Sequence, residues 1–360
     1  MDQKIHVGYF FRQTPRACLF YFKFKGVELM KRMLSFIAII FIFLGYAFFA
    51  EQKQSSNHQS EIKKIGLLQL MDQPALKQIQ KGVYDGLKES GYIVGKNFKI
   101  DYQNAQGNQS NLKTMSEKFE NEDVDLAIGI TTPASISLAN TTSTTPILMS
   151  AVTDPRSASL VQNLKKPEKN ITGVSDQAPL GEQLELIQRL MPKLKTLGII
   201  YTSSDNSAIT QYKKFKQLAA DAGIKLKAYS ISNSNDLNQV SQNMVQEVDA
   251  VFVPTDNTIA GAMSTLVKNA NAANVPIFPT VSSMVKDGGV ATYSVNQYQL
   301  GILTGKMAAR ILKGQKVHNT PVEYIKHGDL TINLKQAHKL GIKIPNELIQ
   351  EAQKKGGLIK

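Results

Sequence analysis

Hydroxyl and carboxylate side chains recur directly after the apolar runs of this sequence. Thr131 and Thr132 follow VDLAIGI, Thr153 follows PILMSAV, and Asp256 comes two residues after VDAVFVP. Such residues commonly cap helices by accepting backbone N–H groups. A helix N-terminus with hydroxyls also suits a carboxylate, and an Asp in an opposing loop would suit an ammonium. Together these two chemistries match a zwitterionic amino acid.

One division of roles follows from these positions. We expect Asp256 to receive the ligand's ammonium while Thr132 and Thr153 hold its carboxylate. Because Asn caps a helix about as well as Asp, Asp256→Asn should then weaken binding and leave stability nearly unchanged. In the alternative, Asp256 is only a cap, and the ammonium's partner is another carboxylate: Asp72, Asp154 or Asp176.

The candidate ligand-binding set contains the residues at or just beyond the ends of the apolar runs. Its members are Gln69, Met71, Asp72, Thr131, Thr132, Ala151, Thr153, Ser175, Asp176, Tyr201, Thr255, Asp256, Ser282 and Ser283. Tyr201, Tyr293 and Tyr298 are either ordinary packing residues or a cover for an apolar or aromatic side chain.

The strands and helices that position these residues occur in the same order in two parts of the chain. An apolar strand at 64–70 precedes a helix near 73–90, and a strand at 196–202 precedes a helix that ends at Gly223. Gly66 and Gly198 are 132 residues apart, as are Gly91 and Gly223. Apolar strands alternating with helices predict parallel sheets covered on both faces. The fold class is therefore α/β, with two similar lobes joined by a multi-strand hinge, and ligands bind at the carboxyl ends of such strands.

The sequence beyond residue 296 is too short for a third α/β domain. We expect residues 62–173 with about 297–325 to form lobe 1, and residues 174–296 with about 326–360 to form lobe 2. Residues 51–61 are polar and without periodicity, which is typical of a linker.

The N-terminal part of the chain contains an apolar run, MLSFIAIIFIFLGYAFFA, at 33–50, preceded by Lys31 and Arg32. This pattern predicts a signal anchor over 30–50 that holds the body outside the cytoplasm, at the cell surface or in the periplasm. Cleavage after Ala50 is disfavoured because it would place Phe48 at the −3 position. Residues 1–29 are expected to be a non-native extension, with translation starting at Met30.

Composition limits the functional classes. Of the net charge of +13, +5 lies in residues 1–50. The remaining +8 is spread over residues 51–360 without a basic stripe interleaved with aromatics, so nucleic acid is not an expected partner. Cys18 is the single cysteine, which excludes an internal disulfide or a thiolate metal cluster. No cofactor or metal is expected, and the body is expected to be a monomer.

An enzyme is the first rival interpretation. The five histidines lie outside the strand-end loops and lack metal-ligand spacing, and the sequence has no G-x-S-x-G, Walker A or G-x-G-x-x-G pattern. We therefore expect no catalytic activity. The second rival, a ligand-sensing receptor or regulator of the same fold, would differ in lacking permease and ATPase partners.

Seven segments within about residues 62–330 carry a family resemblance: KIGLLQLMDQPALKQIQKGVYDGLKESGY, DYQNAQGN, VDLAIGITTPAS, AVTDP, NITGVSD, VDAVFVPTDNT and YQLGILTGKMAARILKG. They resemble ABC-type substrate-binding proteins, including members that bind tryptophan or tyrosine. The resemblance implies a type I periplasmic-binding-protein-like fold with a three-strand hinge, an aromatic amino acid as ligand, and permease and ATPase subunits as partners. Many relatives are lipoproteins, whereas this chain lacks a lipobox cysteine.

Overall fold

The computed structural model describes residues 33–47 and 62–360, and the chain divides into two units at residues 61 and 62. In the first unit, residues 33–47 form helix α1. Within the described ranges, no helix has the length and apolarity needed to cross a membrane. The predicted extension, the linker and Cys18 lie outside the described residues.

Lobe 1 is built on a six-stranded parallel sheet with strand order β11-β5-β4-β3-β1-β2. Its strands are β1 (Lys63–Gln69), β2 (Phe98–Asn104), β3 (Leu126–Ile130), β4 (Ile147–Ser150), β5 (Ile171–Ser175) and β11 (Glu323–Tyr324). Its helices are α2 (Pro74–Glu89), α3 (Gln109–Asn121), α4 (Thr132–Thr141) and α11 (Gln297–Leu312). Residues of β3 and β4 are buried on both faces of the sheet, as a parallel sheet between two helical layers requires.

Lobe 2 has a parallel sheet with strand order β7-β6-β8-β9. Its strands are β6 (Thr196–Thr202), β7 (Lys225–Ile231), β8 (Ala250–Val253) and β9 (Ile277–Pro279). A second sheet contains β10 (Ala291–Ser294), β12 (Asp329–Asn333) and β13 (Leu358–Ile359), with β10 antiparallel to β12. The helices are α5 (Leu180–Leu190), α6 (Asn206–Asp221), α7 (Leu237–Met244), α8 (Asn257–Gly261), α9 (Met263–Ala272), α10 (Ser282–Lys286), α12 (Leu334–Lys339) and α13 (Asn346–Lys354).

The predicted duplication is present in the strand order. The order β2-β1-β3-β4 in lobe 1 matches β7-β6-β8-β9 in lobe 2. The paired glycines occupy equivalent places, since Gly66 and Gly198 lie within β1 and β6. Gly91 and Gly223 follow the ends of α2 and α6 with φ angles of 92° and 71°. A left-handed residue just beyond a helix is the usual glycine position, which explains this spacing.

The chain passes between the two lobes three times. It leaves lobe 1 between β5 and α5, returns between β10 and α11, and leaves again between β11 and β12. These short connections are the hinge segments.

Helices α2 and α11 are in backbone contact through glycines. A Cβ added to Gly301 would lie 2.2 Å from the Ile79 carbonyl oxygen, and one added to Gly82 would lie 2.3 Å from the Tyr298 carbonyl oxygen. Gly86 and Gly305, one turn further along each helix, are equally restricted. Four glycines thus let α11, which returns from lobe 2, lie directly against α2.

Candidate functional site between the lobes

A pocket lies between the carboxyl ends of the two sheets. Lobe 1 contributes the starts of α2 and α4 and the ends of β4 and β5, and lobe 2 contributes the starts of α6, α8 and α10. Gln297, the first residue of α11, closes the pocket at the hinge. The pocket therefore lies at the strand ends of both lobes, which is the usual position of ligand sites in open parallel sheets.

Eight residues of the candidate set line this pocket. They are Thr131, Thr132, Ala151, Thr153, Asp176, Thr255, Asp256 and Ser283. Since these residues follow five different strands in the sequence, their convergence depends on the duplicated fold.

The backbone at two of these positions is strained. Thr131 has a φ of 91° and Ala151 a φ of 56°, at the ends of β3 and β4. Positive φ in residues with a Cβ costs of order 1–3 kcal/mol and is concentrated at ligand sites. The Thr131 hydroxyl is buried and has no hydrogen-bond partner among the described residues. Thr131 is the N-cap residue of α4, and its side chain accepts no capping hydrogen bond.

Three carboxylates face the pocket, and no Lys, Arg or His is among the residues that line it. Burial raises the pKa of Asp176 to about 6, although its carboxylate accepts a 2.9 Å hydrogen bond from the Thr153 hydroxyl. Burial, followed by the nearby charges of Asp256 and Asp176, raises the pKa of Asp205 to about 7. A cation in the pocket would relieve both effects, because it favours the charged form of each carboxyl group.

The carboxylate of Asp256 is already engaged by the protein. Its Oδ1 accepts from the backbone N–H groups of Thr258 and Ile259, which makes it the N-cap of α8. Thr202 donates its backbone N–H to Oδ2 at 2.6 Å and its hydroxyl to Oδ1 at 2.9 Å. Burial nevertheless raises the pKa of Asp256. These bonds favour the alternative in which Asp256 is a cap.

Six members of the candidate set do not line the pocket. Gln69 is buried and donates to the Met71 carbonyl oxygen, while Met71 lines an outer cleft. Asp72 is exposed and pairs with Lys77. The Ser175 hydroxyl donates to the Thr153 carbonyl oxygen, and Ser282 begins α10 without reaching the pocket.

The tyrosines also lie elsewhere. Tyr201 stacks on Tyr212 with ring centroids 4.9 Å apart. Tyr293 donates its hydroxyl to Glu351, and Tyr298 donates to Asp85. None of the three lines the pocket. The residues that supply its apolar wall are aliphatic instead: Leu76, Ile79, Ala260, Val281 and Met284.

Sequence reasoning missed several polar lining residues: Gln73, Asp205, Ser207, Asn257 and Gln297. Asp205 caps α6 through the backbone N–H groups of Ser207 and Ala208. The capping sequence Asp205-Asn206-Ser207 is visible in the chain. It begins three residues after the end of β6, because a turn separates this strand from α6, and it therefore lies beyond the residues directly after the strand.

An outer cleft of about 1250 Å³ adjoins the pocket. The two cavities share Thr132, Pro133, Asp205 and Asn257. The larger cavity is lined mainly by amide and hydroxyl side chains of α3, α4 and the 232–234 turn. The pocket with the carboxylates and aliphatic wall lies behind it, and the cleft is the approach to that pocket.

Direct contacts join the lobes around the pocket. The Thr132 and Ser207 hydroxyls are 2.8 Å apart, and Gln73 donates its side-chain N–H to the Asn257 carbonyl oxygen at 2.5 Å. Lys214 and Asp154 form an ion pair at 3.0 Å. The described conformation therefore has the lobes in contact across the site.

Fold and site together define a two-lobed ligand-binding protein of the type I periplasmic-binding-protein fold. Residues 64–355 match the model of the ABC transporter substrate binding protein family, and the chain belongs to that family. Proteins of this family are the substrate-binding components of ABC transporters.

Three relatives give the similarity in detail. A tyrosine-binding protein of Clostridioides difficile is 33% identical over 311 residues, covering 84% of this chain and 90% of the relative. A Streptococcus pneumonia ABC domain in complex with L-Trp is 41% identical, with a TM-score of 0.80 over 83% of this chain and 100% of that one. A ligand-free, open substrate binding protein from Clostridium difficile is 35% identical, with a TM-score of 0.65 over 79% of this chain and 97% of that one.

Proposed function

We propose that this protein binds an aromatic amino acid, L-tryptophan or L-tyrosine, between its lobes and delivers it to the permease of an ABC importer. The observation that carries the proposal is the pocket itself, which combines buried carboxylates, an unpaired hydroxyl at a helix start and an aliphatic wall. The ligands of the two relatives named for tyrosine and L-Trp agree with this chemistry.

Each part of the ligand has a counterpart in the pocket. The ammonium lies between Asp176 and Asp205, where a positive charge offsets the cost of burying two carboxylates. The carboxylate meets the start of α4, where the Thr131 hydroxyl is unpaired. Thr153 donates to Asp176, so in this assignment Thr153 orients that carboxylate and does not hold the ligand's own.

The aromatic ring packs against the aliphatic wall. Leu76 and Ile79 belong to one lobe and Met284 to the other, so the ring is held from both sides. Burying such a ring contributes through apolar area, at roughly 25 cal/mol per Å². The lack of a lining Lys or Arg also disfavours anionic ligands.

Binding is coupled to lobe closure. The conformation is more similar to the L-Trp complex than to the open, ligand-free relative, with TM-scores of 0.80 and 0.65 at comparable identity. Residues 62–176 with 297–325 move as one body, and residues 177–296 with 326–360 as the other, because β5 runs to Ser175 within the sheet of lobe 1. Ligand contacts to both bodies favour the closed state.

Calorimetry on the full chain tests the proposal with matched ligands. L-Tryptophan and L-tyrosine are expected to bind, whereas tryptamine, without the carboxylate, and indole-3-propionate, without the ammonium, bind at least tenfold more weakly. At 100 times its Kd the ligand should raise the free energy of unfolding by about 2.7 kcal/mol. Equal affinity for indole-3-propionate would contradict the ammonium assignment, and no binding of any aromatic amino acid would contradict the function.

The location is part of the same proposal. Residues 30–50 hold the protein at the membrane with the body outside the cytoplasm, where it works as a monomer with permease and ATPase subunits. Protease added to intact protoplasts should digest the body, and carbonate extraction should leave the full chain in the membrane fraction. A protected body, or one released by carbonate, would contradict this arrangement.

A further inference from the structure

One ion pair joins the lobes at a distance from the pocket wall. Lys214 of α6, in lobe 2, lies 3.0 Å from Asp154, in the loop after β4 of lobe 1. Neither residue lines the pocket, and the Asp154 side chain is 17% exposed. The pair therefore bridges the lobes without contacting a ligand in the pocket.

Both partners are held in place within their own lobes. Asp154 Oδ1 accepts from the backbone N–H groups of Arg156 and Ser157, which fixes the carboxylate and leaves Oδ2 for Lys214. Lys214 is in the middle of α6, a helix capped by Asp205. A fixed carboxylate lowers the entropy cost of forming the pair.

Helix α6 connects this pair to the ligand pocket. Its first turn carries Ser207, whose hydroxyl meets Thr132 of lobe 1, and Asp205 faces the pocket. Lys214 is two turns further, about 10 Å along the helix axis. One rigid helix of lobe 2 thus contacts lobe 1 at two points, one in the pocket and one outside it.

We infer that Asp154 and Lys214 are positioning residues that set the equilibrium between open and closed lobes, and through it the affinity for ligand. The inference rests on the proposed function for the nature of the ligand. A contact made only in the closed state raises the closed fraction, and apparent affinity follows that fraction. When the lobes separate, the pair breaks while each lobe keeps its own structure.

The test uses Lys214→Gln and Asp154→Asn in the full chain. The Asn variant keeps the Oδ1 acceptor for the loop and removes the charge. Each variant should bind L-tryptophan or L-tyrosine about two- to fivefold more weakly than wild type, as expected for a partly exposed pair. The double variant, Lys214→Gln with Asp154→Asn, should lose no more affinity than either single variant, because both substitutions remove the same ion pair. The control is Lys227→Gln, which breaks an ion pair with Glu247 inside lobe 2 and should leave affinity unchanged.

A direct measurement of closure separates this inference from the proposed function. Dyes on cysteines introduced at exposed Lys99 and Lys225, in a Cys18→Ser background, report the distance between lobes by energy transfer. Lys214→Gln should lower the closed fraction of the ligand-free protein. Addition of 0.5 M KCl should lower the closed fraction of wild type but not that of Lys214→Gln, which has no ion pair to screen. This readout holds even if neither amino acid binds. An unchanged closed fraction in both variants, relative to Lys227→Gln, overturns the inference.

Discussion

Asp176→Asn is expected to change stability and ligand affinity in opposite directions. Asp176 is 5% exposed, and burial raises the pKa of its carboxyl group from 3.8 to about 6. This rise corresponds to about 3 kcal/mol of cost for carrying the charge in the folded, ligand-free protein above pH 6. An Asn at this position carries no charge and still accepts the Thr153 hydroxyl.

The stability effect has a defined pH dependence. Because the folded pKa is raised, the folded state binds the extra proton between pH 3.8 and about 6, and wild-type stability falls as pH rises through this range. Asp176→Asn should therefore be more stable than wild type by up to about 3 kcal/mol at pH 8 and indistinguishable from it below pH 3.8. Urea unfolding without ligand at several pH values measures the difference.

The binding effect has the opposite sign. Loss of a charge-assisted bond to a buried ammonium costs about 2–5 kcal/mol, more than tenfold in Kd by calorimetry. Asp287→Asn is the control, because burial also raises the pKa of Asp287 but the residue lies outside the pocket. A variant that is less stable than wild type at pH 8 and binds with unchanged affinity would refute the reasoning.

Three further outcomes are expected. Gly301→Ala should cost about 1–3 kcal/mol in urea unfolding, because its Cβ would meet the backbone of α2, whereas Gly181→Ala, with no atom near its Cβ, should be neutral or stabilising; equal effects would contradict the close packing. Asp256→Asn should lose about 1–3 kcal/mol of stability in urea unfolding, since the amide N–H₂ would face an N–H or O–H donor of Thr202, and it should weaken binding less than Asp176→Asn. Unchanged stability would mean that the bonds from Thr202 contribute nothing and that Asp256 acts only as the cap of α8. In the ligand-free protein, the closed fraction should increase as pH falls from 8 to 5, because burial in the closed state raises the pKa of Asp205 to about 7. Small-angle scattering measures this change, and a pH-independent radius of gyration would contradict it.

The repeated elements were predictable because their signal is local. The strands β1, β3, β6 and β8 are continuous apolar runs, and the helices that follow have spacings of three and four. Strand β10 was not predicted, since Ala291–Ser294 is short and its pairing partner β12 lies beyond residue 328. Helix α5 was also missed, although its buried face is as regular as that of the predicted helices.

The site was predicted only in part, and the limits are geometrical. The strand ends identify the loops, but a side chain's direction alternates along a strand. Thr202 therefore bonds Asp256 at the pocket, whereas Tyr201 beside it stacks on Tyr212. Asp256 lines the pocket, but sequence alone does not show that Thr202 donates to both of its carboxylate oxygens. For this reason Asp256→Asn is expected to lose stability, whereas the sequence alone predicts no change.

The glycine contact between α2 and α11 also determines when lobe 1 folds during synthesis. Helix α2 is complete by residue 89, but the helix that covers its glycine face begins at residue 297. Contacts this distant in sequence form late, since the loop between them must close first. The N-terminal lobe thus lacks this helix contact until most of the chain has been made.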